Sequence, residues 1–447
     1  MTTRNSAPAT AFDRVRAVAD AVLYEGYLLY PYRSSSGKNR VRWQFGVLAP
    51  RRWIEAHGPA ADTVAGSAES WWQQTECLAE APDSAVLHLR LRFLQLQART
   101  VHAARPDGTS SVVDRLDIRG LTLLPFDEAV PHKADMALSV EELRAGQRTV
   151  TVRAPGGERL EAVYDDQGTV VGEVRRVRRP VTVRLRLSAT PAGTPFPLLR
   201  LRLRVENTVP DTSPDAPREE ALRRSLVATH MMLALDTGAF VSLLDPPAWA
   251  AEAAKACANV RTFPVLGGDP GSRDLVLSAP IILYDHPQIA PESPGDLHDA
   301  TEIDEILSLR TLTLTDAEKQ EARATDPRAR AIVDRVDAMP PEMMRRLHGA
   351  VRSVPPETET GVVDGVTVAR GSRVRLRPRR RGTDAHDMFL AGRTAQVEAV
   401  LVDVDGRRHV AVTIEDDPTA ELHRWYGRFH YFAPEELVPL PQEATAP

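Results

Sequence analysis

The sequence predicts a β-rich α+β fold, in which a large antiparallel β body precedes short helices and a small C-terminal β module. Long stretches alternate apolar and polar residues with a period of two, which is typical of strands with one buried face. The 447 residues include 35 prolines, which interrupt helices and favour turns. The stretches with helical spacing are short, and several of them lie between the two β regions.

The composition narrows the class of protein. Hydrophobic residues make up 43% and charged residues 26%, as in ordinary globular chains. A net charge of −5 provides no global field that would attract nucleic acid or an anionic membrane. The two cysteines, Cys77 and Cys257, exclude a disulfide framework and fit a reducing cytoplasm, where we expect the protein to work. No apolar run reaches the ~18 residues that a membrane span needs.

The N-terminal region contains one predicted helix and one predicted hairpin. Residues 1–11 are polar and small, and we expect them to be disordered. Phe12–Tyr24 has helical apolar spacing. Glu25–Leu48 predicts two strands around a Ser/Gly/Asn turn, because apolar residues alternate after it. Tyr30 and Arg33 lie before this turn in a tyrosine-rich stretch, and two interpretations stay open: they line a partner-binding pocket, or the rings close a core.

The β body follows, as a predicted sandwich or curled antiparallel sheet between about residues 20 and 280. Ser67–Cys77 predicts a short helix and Val86–Gln97 a long strand. Val181–Leu187 and Leu199–Val205 alternate leucine or valine with arginine, so each has one buried face. Together with Val86–Gln97, these are three strands with arginine-rich sides, which are either solvated or bind an acidic partner.

A helix is predicted at Glu219–Leu235, from its propensities and its spacing of leucine and methionine. Asp236-Thr237-Gly238 resembles the aspartic-protease triplet, but that chemistry needs a second aspartate from a repeat or a dimer, and the chain has no second copy. A glycine that ends the helix explains the triplet more simply. Ala248–Cys257 predicts another short helix.

A proline-rich stretch then separates the β body from the helices. It starts with the apolar, strand-like run Ile281–Tyr284 and leads into an acidic cluster. The imidazole and carboxylate groups here are of the types that bind nickel, zinc, manganese or iron, although their spacing fits no standard zinc pattern. Carboxylates that cap a helix start explain the cluster as well. The candidate metal ligands are Asp285, His286, His298, Asp299 and Glu302.

Three short helices are predicted beyond this stretch. The first starts at Thr315 or Asp316, whose side chains can cap it, and the second starts at Asp326-Pro327. The third runs from Pro340 to about Ala350. We therefore expect a proline-rich pivot and helical connector over residues 285–361, after a body over residues 12–284.

The C-terminal module, residues 362–441, has four predicted strands and a short tail, residues 442–447. Its ending F-A-P-E-E-L-V-P-L resembles that of SH3-like barrels, which implies a protein-interaction module. A basic run between its first two strands predicts partner binding, with nucleic acid as the weaker alternative. The candidate partner-binding residues of the module are Arg379, Arg380 and Arg381 in that run, and Trp425 and Tyr426 near the end.

Three phrases of the chain resemble a family of uncharacterised actinobacterial-type proteins. They begin at Tyr24 (Y-E-G-Y-L-L-Y-P-Y-R), at His286 (H-P-Q-I-A-P-E-S-P-G-D-L-H-D) and at Trp425 (W-Y-G-R-F-H-Y-F). Such proteins are typically encoded beside nickel–iron uptake hydrogenase and hydrogenase-maturation genes. The resemblance implies a non-enzymatic accessory or scaffold whose partners are hydrogenase subunits or maturation factors. It implies no catalytic residue.

Two other functions remain as alternatives. A metal-dependent hydrolase would use His286 and its acidic neighbours, and a nucleic-acid-binding regulator would use the loop from Arg377 to Arg381. We expect no resident cofactor, although an accessory protein of this kind can handle nickel or another divalent metal transiently.

Overall fold

The computed structural model describes residues 11–36, 39, 45–57, 69–210, 212–289, 297–298, 304–340, 360–363, 366–377, 390–402, 408–415 and 429–440. The chain forms two compact units, Met1–Ala338 and Met339–Pro447. Both units contain antiparallel sheets, and the first also contains short helices. The predicted β-rich α+β class is therefore confirmed. In the described part of the chain, no helix combines the length and the apolar character needed to cross a membrane.

The strands of the first unit are numbered in chain order. They are β1 (Trp72–Glu80), β2 (Val86–Ala104), β3 (Ser110–Val113), β4 (Leu116–Ile118), β5 (Leu121–Leu123), β6 (Phe126–Ser139), β7 (Arg148–Ala154), β8 (Gly157–Tyr164), β9 (Val170–Arg178), β10 (Val181–Pro191), β11 (Leu199–Asn207), β12 (Val227–Leu235), β13 (Ala239–Val241), β14 (Phe263–Leu266) and β15 (Leu275–Ala279).

The helices of this unit are shorter than many of its strands. They are α1 (Arg16–Tyr24), α2 (Arg51–Ala56), α3 (Val140–Ala145), α4 (Arg218–Leu222), α5 (Ala251–Lys255), α6 (Asp304–Leu312), α7 (Asp316–Thr325) and α8 (Pro327–Asp337), with a 3₁₀ turn at Ala248–Ala250.

Two sheets pack face to face as a sandwich, which is one of the two predicted arrangements. Sheet I has the order β13-β1-β11-β10-β7, and sheet II has the order β14-β15-β12-β2-β9-β8, with β3 and β6 also paired to β2. Inward leucines of both sheets, such as Leu185 and Leu203 from sheet I and Leu89 and Leu233 from sheet II, share one core. Burying each such side chain stabilises the fold by roughly 1.5–3 kcal/mol, which explains why the leucines alternate so strictly.

Helix α1 covers the outer face of sheet II. Its apolar side, including Val18 and Val22, packs on Met232, Leu275 and Leu277 of the sheet. The helix predicted at Phe12–Tyr24 is thus confirmed over Arg16–Tyr24, and its helical spacing is explained by the sheet beneath it.

The segment Glu219–Leu235 is not one helix. Only α4 is helical, and Val227–Leu235 is the strand β12, which lies between β2 and β15 in sheet II. All nine residues of β12 are buried, because the core lies on one side and α1 packs over the other. A strand buried on both faces loses the alternating pattern, so helical propensity misled the prediction. Gly238 accordingly follows a strand and does not end a helix.

Three other local predictions were wrong. Trp72–Glu80 is strand β1, where a short helix was expected. Glu25–Ser36 contains no strand, and Ile281–Tyr284 continues past β15 without pairing as one. In each case the local sequence pattern did not determine the backbone pairing, which depends on the neighbours that the fold supplies.

Helices α7 and α8 begin as their sequences predict. Thr315 caps α7 in a reciprocal capping box with Glu318, and Asp326 caps α8, with Pro327 in its first turn. The third predicted helix, from Pro340 to about Ala350, lies almost entirely outside the described residues.

The second unit is a small antiparallel β module. Its strands are β16 (Thr360–Val363), β17 (Val366–Ala369), β18 (Arg373–Leu376), β19 (Thr394–Val402), β20 (Arg408–Ile414), β21 (His430–Phe432) and β22 (Leu437–Pro439), with a 3₁₀ turn at Pro434–Glu436. Five of them form one sheet in the order β21-β20-β19-β18-β22. This sheet is open in the described residues, because β21 and β22 lie at opposite edges.

Candidate functional site

Asp285 and His286 contact the end of strand β14. The carboxylate of Asp285 accepts a hydrogen bond from the Leu266 amide at 2.7 Å and another from the Ser242 hydroxyl. The backbone amide of His286 donates to the Leu266 carbonyl at 2.7 Å. Both carboxylate oxygens of Asp285 thus have partners within the protein, and the residue links the end of β14 to Ser242, which follows β13.

His298 packs among tyrosine rings. Its ring centroid lies 5.8 Å from that of Tyr24 and 6.4 Å from that of Tyr27. Burial lowers the pKa of His298 to about 3, and the nearby charges of Arg328 and Arg335 act in the same direction. The imidazole is therefore neutral at pH 7.

No three histidine, cysteine, aspartate or glutamate side chains converge as metal ligands within the described residues. Two of the predicted ligands, Asp299 and Glu302, lie outside those residues. The metal site proposed for this stretch stays a prediction.

Tyr30 and Arg33 contact the helices that follow the β body. The Tyr30 hydroxyl donates to the Arg310 carbonyl at 3.2 Å, and Arg33 forms an ion pair with Glu318 at 3.1 Å. The Tyr27 hydroxyl donates to the carboxylate of Asp326, the residue that caps α8. This tyrosine-rich segment therefore contacts α6, α7 and the start of α8 within the first unit.

The candidate partner-binding residues of the second unit cannot be placed in the same way. Arg379, Arg380, Arg381, Trp425 and Tyr426 lie outside the described residues, and their role stays a prediction. Arg377, at the start of the basic run, donates its backbone amide to the Glu436 carbonyl at 2.7 Å.

The outer face of sheet I brings together arginines from adjacent strands. The register pairs Arg184 with Glu206, and Arg186 with Arg204, so these side chains lie on the side away from the leucine core. We call this surface the arginine face. It consists of Arg153 on β7, Arg184 and Arg186 on β10, and Arg200, Arg202 and Arg204 on β11, together with Glu206 and with Glu76 of β1.

Two buried glutamates hold the arginine face together. The Glu206 side chain is only 3% exposed and lies 2.8 Å from Arg204 and 3.3 Å from Arg186. The Glu76 side chain is fully buried, forms an ion pair with Arg202, and accepts the Ala258 amide at 2.8 Å. A buried carboxylate needs such partners, because burying it unpaired costs several kcal/mol.

The arginine face has more guanidinium groups than carboxylates, and several of the arginine side chains are exposed to solvent. Six arginines surround two glutamates, and the side chains of Arg202, Arg184 and Arg186 are 55%, 44% and 40% exposed. Arg153 is also exposed. Although the whole chain is acidic, this surface carries a concentrated positive charge.

Two tryptophans border the arginine face, and their rings are in contact with guanidinium groups of the chain. Arg204 lies 3.8 Å from the centroid of Trp72, and Arg51 lies 4.5 Å from that of Trp71. These cation–π contacts use ring faces that would otherwise be open for stacking.

Sequence patterns placed the arginines on one side of each strand but did not say which strands are neighbours. Arg90 and Arg92 of β2 have the same alternation, yet they belong to sheet II and pair with Asp135 and Asp20. Only strand pairing separates the neutralised arginines of β2 from the exposed ones of β10 and β11.

The chain matches no protein-family model. No curated protein matches it either. Among solved structures, it has a similarity to the Salmonella SPI-1 type III secretion injectisome secretin InvG (residues 176-end) in the open gate state, with 10% identity over 59% of this chain and 75% of that chain. The TM-score of 0.08 is too low to indicate a common fold.

Proposed function

We propose that the protein is a non-enzymatic accessory protein that acts through protein–protein contacts, with the arginine face as a docking surface for an acidic partner. The observation that carries this proposal is the exposed positive charge of Arg153, Arg184, Arg186 and Arg202, organised on two buried glutamates. Arginine is enriched in protein interfaces, and complementary charge increases association rates and selects among partners.

A protein partner suits this surface better than nucleic acid does. Proteins that bind single strands combine positive charge with aromatic rings on which bases stack. Here the rings of Trp71 and Trp72 lie against Arg51 and Arg204, and the face contains the carboxylates of Glu76 and Glu206. The net charge of −5 also means that the chain as a whole does not attract a polyanion such as nucleic acid.

The identity of the partner is proposed from the family resemblance. It points to cytoplasmic hydrogenase subunits or maturation factors, with the C-terminal module as a second, SH3-like contact surface. Transient handling of nickel by the partner complex is compatible with this role. The residues outside the described part, including Arg379 to Arg381, would then contribute to the second surface.

Affinity purification from hydrogen-oxidising cells tests the proposal. The test variant carries Arg153→Gln, Arg184→Gln and Arg186→Gln, which remove three positive charges and leave Arg204 on Glu206. We expect the unmodified protein to recover hydrogenase subunits or maturation factors, and the variant to recover about tenfold less, since it lacks the charge that attracts the partner. Recovery should also fall as salt is raised.

A matched control removes three arginines elsewhere. The variant Arg105→Gln, Arg115→Gln, Arg159→Gln has the same net charge, but its substitutions lie outside sheet I. Recovery should be unchanged in this control. Equal losses in both variants, or no hydrogenase protein recovered at all, would contradict the proposal. Salt-sensitive retention of RNA or DNA in place of protein would favour the nucleic-acid alternative.

A further inference from the structure

A groove of about 600 Å³ lies at one end of the sandwich, where three connections meet. The turn from β1 to β2, the loop from β10 to β11, and the 3₁₀ turn at Ala248–Ala250 form its walls. Its lining is mostly apolar and includes two aromatic rings and two prolines. The lining residues are Glu80, Ala81, Pro82, Phe196, Pro197 and Trp249.

Phe196 is exposed although it is large and apolar. It is 57% exposed and meets Trp249 edge to face, with ring centroids 5.2 Å apart and planes at 76°. Prolines on both sides of Phe196 stiffen its loop, and its carbonyl accepts the Thr194 hydroxyl at 2.8 Å. The backbone at Phe196 is thus constrained, and the ring rests against Trp249.

The ring of Trp249 rests on a small apolar cluster on the outer side of sheet I. Leu78, Leu198, Val241 and Ala250 form this cluster, and they are all buried. The aromatic pair therefore has a rigid base and presents its other surface to the groove. Preorganised aromatic surfaces bind with little loss of side-chain entropy.

The carboxylate of Glu80 gives the groove its charge. Glu80 ends strand β1, is partly exposed, and has no hydrogen-bond or ion-pair partner for its side chain within the described part of the chain. The neighbouring Asp83, by contrast, pairs with Arg144. The groove is thus apolar with one uncompensated negative charge, the opposite of the arginine face.

We propose that this groove binds an extended, proline-containing segment of a partner protein that carries an arginine or lysine. Polyproline II segments dock in aromatic-lined grooves, because their rings pack on aromatic faces and they need no backbone pairing. The basic residue would pair with Glu80, so the charge of the groove selects against acidic segments. This site does not depend on the arginine face or on the identity of its partner.

Fluorescence anisotropy with the full-length protein tests the site. The probe is a labelled peptide, Arg-Ala-Leu-Pro-Pro-Leu-Pro-Ala, compared with two relatives in which alanine replaces every proline or glutamine replaces the arginine. We expect saturable binding of the probe, and at least about tenfold weaker binding of the alanine peptide, because it lacks the preformed extended conformation.

Three variants locate the binding. Phe196→Ser should weaken binding of the probe at least about tenfold, since a central aromatic anchor is lost. Glu80→Gln should weaken binding of the arginine peptide several-fold and leave the glutamine peptide unchanged. Tyr164→Ser, which removes another half-exposed aromatic ring, on β8, should have no effect.

Several results would overturn the inference. These are no saturable binding of the probe below about 1 mM, equal binding of the alanine peptide, or unchanged binding by Phe196→Ser. Thermal unfolding of each variant checks that its fold is kept. If Phe196→Ser is unfolded, Glu80→Gln still decides, because its effect must differ between the arginine and glutamine peptides.

Discussion

The two outer faces of the sandwich differ in the side chains that they carry and in what covers them. On sheet II the outward residues Met232 and Leu277 are buried beneath helix α1. On sheet I the outward residues Arg184 and Arg202 are about half exposed. The inward residues of both sheets, many of them leucines, form one common apolar core.

Whether the outward residues of a sheet are apolar or charged decides whether a helix of the same chain can pack over them. An apolar face gains about 25 cal/mol for each Å² that a helix removes from water. Covering guanidinium groups with an apolar helix would instead cost their hydration, which only opposite charges can replace. The arginine face is therefore left for a partner with complementary charge, as proposed.

The largest expected effect comes from placing a charge under the covering helix. Val22 of α1 is 3% exposed on sheet II. Val22→Asp should lower the free energy of unfolding by about 3 kcal/mol or more, because it buries an unpaired carboxylate. Arg153→Asp on the open face should change it by less than about 0.5 kcal/mol. Urea unfolding measures both, and similar losses would contradict the comparison.

Lowering the pH should reduce the stability of the fold, because His230 of β12 is buried on the covered face of sheet II. Burial lowers the pKa of His230 to about 3, and Arg92, itself paired with Asp20 of α1, acts in the same direction. Because the unfolded chain binds this proton near pH 6.5 and the folded chain does not, stability is complete above pH 6.5 and is lost as pH falls towards 3. The loss is up to about 1.4 kcal/mol per pH unit.

The variant His230→Gln isolates this contribution. Between pH 6.5 and 5 it should lose up to about 2 kcal/mol less stability than the unmodified protein, whatever its stability at pH 7. Urea unfolding at several pH values measures the slope. The variant should still lose some stability in acid, because His298 is also buried and has a similarly lowered pKa. An unchanged slope would mean that His230 takes up its proton in the folded state.

A smaller effect on the free energy of unfolding is expected when Arg202, the ion-pair partner of the fully buried Glu76, is removed. Arg202→Ala leaves Glu76 with Arg200 at 3.8 Å and the Ala258 amide at 2.8 Å. We expect a loss of about 1–2 kcal/mol in the free energy of unfolding, mostly from the carboxylate left behind. The double variant Arg202→Leu, Glu76→Leu should be less destabilised than Arg202→Ala. A double variant that is as unstable would show that the ion pair itself stabilises the sheet.

The smallest effect is expected at Arg184. Its side chain is 44% exposed and lies 3.7 Å from Glu206, which keeps Arg204 and Arg186 as closer partners. Arg184→Ala should change the free energy of unfolding by less than about 0.5 kcal/mol. A loss as large as that of Arg202→Ala would mean that the arginine face is a structural network first and a docking surface second.

Much of the fold was predictable from local patterns. The strands around Leu185 and Leu203 follow from alternation, and α7 and α8 follow from the caps Thr315 and Asp326. Strand β12 was not predictable in this way, because it is buried on both faces and its residues favour helix. Its strand conformation depends on hydrogen bonds from β2 and β15, which are distant in the chain.

The sequence predicted the arginines of the candidate site but did not predict which strands bring them together. A strip of arginines that binds an acidic partner was one of the two open interpretations of three strands, β2, β10 and β11. The separation of the arginines of β10 and β11 from Arg90 and Arg92 of β2 came only from the sheet pairing. The groove around Phe196 and Trp249 had no signal at all, since its walls come from three loops far apart in the chain.

The order of side chains along this protein was sufficient to determine where one face of a strand is buried and where a helix is capped. These features depend on neighbours within a few residues, and the chain carries them wherever it folds. Which strands become neighbours, which arginines find carboxylates and which face receives a helix were decided by the tertiary structure. Those outcomes depend on contacts between distant segments, whose burial energy outweighs local propensity.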